Sequence, residues 1–159
     1  MVIVTATREA SLPLEAVYRQ DGDRLWRAIV AYGGDPELAS DAVAEAFAQA
    51  LRRGQAINDV QAWVWRAAFR IAAGELKRRP LSVDRIPDRG YLASTADIDL
   101  LRALAQLPDK QRAAVVLFYY ADAPVREIAR RTGMSQLSVR ANLSRGRKRL
   151  KDLLGDTDA

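Results

Sequence analysis

The sequence predicts an all-α protein of two small helical domains joined by a linker, and three observations carry that prediction. Apolar residues recur at i, i+3, i+4 spacing over most of the 159-residue chain, and no run reads as a credible strand. Proline, glycine and aspartate cluster at Gly33-Gly34-Asp35-Pro36 and again from Pro80 to Thr95, dividing the helical patterns. The stretch from Val125 to Lys151 holds two short helical patterns around a tight turn, the second rich in arginine.

After a loose N-terminal segment, Leu14, Val17, Tyr18, Leu25, Trp26 and Ile29 predict one amphipathic helix from Pro13 to Tyr32, with a weak point at Gly22. Asp35 as N-cap and Pro36 in the first turn open a second helix, which reaches about Arg53. Leu38, Ala42, Phe47, Ala50 and Leu51 supply its apolar contacts, and Asp41, Glu45 and Gln49 line its exposed side at intervals of four. Gly54 to Asp59 forms a short polar loop, with Asp59 as N-cap of a third helix from Val60 to about Arg79. Val60, Trp63, Val64, Ala67 and Ile71 are its expected core stripe, with Trp65 and Phe69 paired off it. Lys77, Arg78 and Arg79 complement the dipole at its end.

The sequence thus divides into a first domain, 1–79, a linker, 80–95, and a second domain, 96–159. At ~3.3 Å per residue the linker extends to about 50 Å, beyond the ~34–36 Å of one DNA turn. Ile98, Leu101, Leu104 and Leu107 predict the next helix, and Pro108 separates it from another in which Ala114, Val115, Leu117, Phe118, Tyr119 and Tyr120 are largely core. Asp122-Ala123-Pro124 then turns the chain.

In the last stretch Val125, Ile128 and Ala129 share a face, and Gly133 supplies the positive φ of a sharp corner. Ser135 follows as N-cap, and small Ala129 permits a close crossing, so the pair reads as a helix-turn-helix. Val139, Leu143, Leu150 and Leu154 form the buried stripe of its second helix, which turns Arg140, Ala141, Ser144, Arg145 and Lys148 outward. Such a motif lays its second helix in the DNA major groove. Nine basic side chains against the single acid Glu127 draw phosphate to this stretch.

Composition agrees with a polyanionic partner: 25 Lys+Arg against 20 Asp+Glu give a net charge of +5. With no histidine and no cysteine, disulfides, thiolate nucleophiles, imidazole metal sites and the usual general base are excluded. The pairs Asp21/Asp23 and Asp97/Asp99 are spaced i, i+2, which does not converge on a helix, so no metal, cofactor or catalytic residue is expected. The chain start carries no secretory signal, and the longest apolar run, Ala113 to Ala121, is too short to span a bilayer. A soluble cytoplasmic protein is the simplest expectation.

Two stretches carry a family resemblance. Leu104 to Leu150, LAQLPDKQRAAVVLFYYADAPVREIARRTGMSQLSVRANLSRGRKRL, resembles domain 4 of the extracytoplasmic-function (ECF) sigma factors of the sigma-70 family. Gly34 to Arg53, GDPELASDAVAEAFAQALRR, with Asp59 to Arg79, DVQAWVWRAAFRIAAGELKRR, resembles their domain 2. The resemblance implies a transcription initiation factor that binds core RNA polymerase and directs it to promoter DNA. It assigns Asp41, Glu45 and Phe47 to the polymerase clamp. It gives Gln55 and Asn58 to a pocket for an unstacked base of the minus-10 element, Trp63, Arg66 and Arg70 to the opening strand, and Lys77, Arg78 and Arg79 to phosphate beside it. It places Arg140, Ala141, Ser144 and Arg145 on the minus-35 bases, with Arg126, Ser135 and Lys148 on phosphates.

An inhibitory anti-sigma protein is a further partner the family implies. Arg70 stands where many relatives have asparagine, and Asn142 where they often have arginine, so no promoter sequence is borrowed. A stand-alone helix-turn-helix regulator with an N-terminal dimerisation or sensing domain is the alternative reading of the residues.

Overall fold

The computed structural model describes residues 2–78 and 95–155, with side chains from 13 to 78 and from 98 to 155. Its helices are α1 (Val2–Gly33), α2 (Pro36–Arg53), α3 (Val60–Arg78), α4 (Thr95–Ala105), α5 (Asp109–Tyr120), α6 (Val125–Thr132) and α7 (Gln136–Gly155), and a 3-10 turn, Gly54–Ala56, follows α2. Arg79 and residues 80–94 of the expected linker lie outside the described residues, while Thr95, expected to end the linker, opens α4.

Helix α1 begins at Val2 rather than Pro13 and runs through both Pro13 and Gly22, so neither the loose segment nor the weak point is found. Past Gly22 its inner face is continuous, because Leu25, Ala28 and Ile29 are fully buried. Helix α2 starts as expected: Asp35 Oδ1 accepts the Glu37 N–H at 2.9 Å, with Pro36 in the first turn. Helices α2 and α3 pack together, and Ala39, Ala42, Ala46 and Ala50 on α2 and Ala68 and Ala72 on α3 are all buried, small side chains that suit close helix packing.

In the second unit α7 packs on α4, α5 and α6. Gly133 takes a left-handed φ of 79°, and Ser135 Oγ accepts the Ser138 N–H at 3.1 Å, so turn and cap both form as the sequence predicts. A tight crossing also forms between α5 and α7. A Cβ on Gly146 would stand 2.7 Å from Val115 Cγ2 and 3.3 Å from the Gln111 carbonyl oxygen, so the α5–α7 contact requires glycine. Gly146→Ala is expected to destabilise the fold by about 1–3 kcal/mol through overpacking, despite alanine's better helix propensity. A thermal melt unchanged from wild type would show that α5 moves aside freely.

The two units also pack on each other: α1 touches α4 and α5, α3 touches α6, and their buried side chains form one connected apolar cluster. This added cover explains where the expected core stripe of α3 fails. Trp65 and Phe69, placed off the stripe, are buried, while Trp63 is only half-buried under the Arg53 guanidinium. With α1, α2 and α6 around it, α3 buries a wider arc than one stripe. Leu51, Tyr119 and Tyr120, expected to contribute to the core, are exposed. No described helix is long and apolar enough to cross a membrane.

Candidate nucleic-acid and polymerase interfaces

On α7, Val139, Leu143, Gly146 and Leu150 are buried, and the opposite stripe of Arg140, Ser144, Arg145 and Lys148 is exposed with half-buried Ala141 among them. The sequence therefore placed this outward face correctly in geometry. It overlooked Leu137, which is 77% exposed at the second position of α7. Its signal was phase: Leu137 precedes Arg140, Ala141 and Ser144 by three, four and seven residues, so it cannot share the Val139 stripe. Asn142 turns along its own helix, its amide nitrogen donating to the Ser138 carbonyl at 2.9 Å. Arg126 is exposed on α6, and the Ser135 hydroxyl is engaged as a cap. Arg147 lies 4.4 Å from the Phe118 ring centre and donates to Tyr119 Oη, which holds it against α5 rather than on the outward stripe.

The sequence counted Arg130 and Arg131 among the basic side chains that draw phosphate, and the structure corrects this. Arg131 is 5% exposed, with its guanidinium 4.3 Å from the Trp65 ring centre. Its Nε stands 3.8 Å from Glu127 Oε2, an ion pair without a hydrogen bond, and its Nη1 has no hydrogen-bond partner among the described residues. Burial lowers its pKa, against the pull of Asp21 and Glu127. Below it, buried Asp21 Oδ2 accepts from Trp65 Nε1 at 2.9 Å and from Gln61 Nε2 at 2.7 Å, which gives this carboxylate a structural task.

Gln61 carries the network outward, because its Oε1 accepts from Arg130 Nη2 at 2.9 Å. Arg130 also donates to Glu127 Oε2 at 2.6 Å and pairs with Asp59. The Glu127 hydrogen bond leads the rise in the Arg130 pKa, with burial opposing and Asp59 adding. Burial would raise the Asp59 pKa, but hydrogen bonds from the Ala62 N–H and Arg130, with the Arg130 and Arg66 charges, lower it overall. Asp59 Oδ1 meanwhile caps α3 as expected, accepting the Ala62 N–H at 3.1 Å. Arg66, assigned to the opening strand, donates through Nε to the Arg130 carbonyl at 2.7 Å. A second tie joins the units where Arg112 Nη1 donates to the Tyr32 carbonyl at 3.0 Å.

The remaining minus-10 candidates are strung along the first unit, from the 3-10 turn to the far end of α3. Gln55 and Asn58 are exposed beside the 3-10 turn, Arg70 reaches Gln49 Oε1 at 3.5 Å, and Lys77 and Arg78 are exposed at the end of α3. On α2, Asp41 is exposed, while Glu45 accepts from Gln49 and Arg52, whose hydrogen bonds lower its pKa. Phe47 is half-buried, its ring edge-on to Tyr18 at 5.2 Å, beside a cleft of about 480 Å³ between α1 and α2.

Residues 97–150, which run from α4 through the helix-turn-helix, match the family model for sigma-70, region 4. The chain is 29% identical over 163 residues to the ECF RNA polymerase sigma factor SigE of Mycolicibacterium smegmatis, covering 92% of this chain and 63% of the relative. It is 33% identical over 129 residues to the ECF RNA polymerase sigma factor SigM of Mycobacterium tuberculosis, covering 75% and 65%.

The chain is similar to the ECF sigma factors of the sigma-70 family.

It spans just under two thirds of the length of these relatives. Its fold is that of two solved structures, each 20% identical in sequence. One is CnrH in complex with the cytosolic domain of CnrY, with a TM-score of 0.74 over 98% of this chain and 96% of that one. The other is the sigma factor RpoE in complex with the anti-sigma factor NepR from Bartonella quintana, with a TM-score of 0.65 over 93% and 95%.

Proposed function

We propose that this chain is an ECF sigma factor that binds core RNA polymerase and directs it to promoters, with residues 96–159 reading the minus-35 element and residues 1–79 helping to open the minus-10 element. The observation that carries this reading is the exposed α7 stripe, Arg140, Ser144, Arg145 and Lys148, opposite a buried apolar one within the region 4 match. Arg140 and Arg145 pair with base edges and Ala141 offers apolar contact, while Arg126, Ser135 and Lys148 take phosphates. Gln55 and Asn58 hold an unstacked base, and Trp63, Arg66, Arg70 and the basic end of α3 follow the strand. Polymerase makes the RNA, so the chain contributes placement and strand capture rather than covalent chemistry. It works in the cytoplasm, where an anti-sigma protein is the expected inhibitor.

Asp41, Glu45 and Phe47 face the polymerase. Asp41→Lys with Glu45→Lys is expected to reduce co-purification with core polymerase severalfold while leaving helical content unchanged. Assembly at the wild-type level would remove the clamp assignment.

A further inference from the structure

Among the described residues Leu137 has the highest exposure of the large exposed hydrophobic side chains, which also include Tyr18, Leu51, Tyr119 and Tyr120. It lies in the first turn of α7, where the Ser135 cap fixes the backbone. At about 100° per residue it falls in the middle of the outward stripe, between the directions of Arg140 and Ala141. A recognition helix meets base edges with its N-terminal residues, and the groove feature that rewards an apolar side chain there is the thymine methyl. We infer that Leu137 is a specificity-determining residue that packs on a thymine methyl of the minus-35 element.

This inference rests on the promoter-reading proposal, and one experiment separates the two. Core polymerase with the full chain selects from a duplex library randomised upstream of the start site. Each thymine of the enriched sequence is then replaced by deoxyuridine, which removes only the methyl. One such replacement is expected to weaken wild-type binding about fourfold, the worth of one buried methyl-sized group, and Leu137→Ala is expected to abolish that sensitivity. At 77% exposure the substitution leaves the core untouched. Enrichment with identical methyl responses in both proteins overturns the role of Leu137 alone. No enrichment at all overturns promoter reading, and this inference with it.

Discussion

Replacing Arg140 and Arg145 together by alanine is expected to lower promoter-dependent transcription about 100-fold or more while leaving polymerase binding intact. Each arginine lies exposed on α7 opposite the buried Val139, Leu143 and Leu150, so truncation removes donors without opening a cavity. A good bidentate arginine–guanine pair is worth about 1–3 kcal/mol of discrimination, and the two positions are far enough along the helix to contact different bases. The pattern of loss is as informative as its size. Base-reading arginines relax selectivity at particular positions, whereas phosphate contacts weaken all sequences alike and flatten the salt dependence. Transcription at the wild-type level in the double variant would remove both side chains from the reading face.

Trp65→Ala is expected to cost about 3–5 kcal/mol of stability, with a Tm lower by roughly 10 °C or more in calorimetry. Trp65 is fully buried, stacks with Phe69 at a centroid distance of 6.5 Å and gives its N–H to buried Asp21. Its loss leaves Asp21 with Gln61 as the remaining donor and takes the ring from beneath Arg131. Trp63→Ala supplies the contrast, because Trp63 is half-buried and lies on the side of α3 under Arg53. A smaller stability loss is expected there. Equal losses for the two tryptophans would contradict the burial that separates them.

These two tryptophans also mark where sequence reading succeeds and where it stops. The caps and turns were readable because their physics is local: Asp35, Asp59, Gly133 and Ser135 each act on backbone groups within a few residues. The outward stripe of α7 was readable for the same reason, since helical phase alone separates Arg140 from Val139. The face of α3 was not, because its cover comes partly from α6, more than sixty residues later in the chain. Nothing near Trp65 in sequence announces that Asp21 will take its N–H or that Arg131 will lie across its ring. Arg130 and Arg131 look like solvated charge for the same reason, and the long-range partners that bind them exist only once the two units meet. Tyr119 and Tyr120 failed in the opposite sense. Their apolar run predicts a core role, yet they end α5 where the neighbouring helices leave them exposed.

The most direct measurement of the central claim is run-off transcription with purified core polymerase and genomic fragments, with and without this chain. Discrete transcripts that appear only when the chain is added, and that fade with Arg140→Ala and Arg145→Ala, are the predicted result. Transcripts of the same number and position in its presence and absence would contradict promoter-directed initiation.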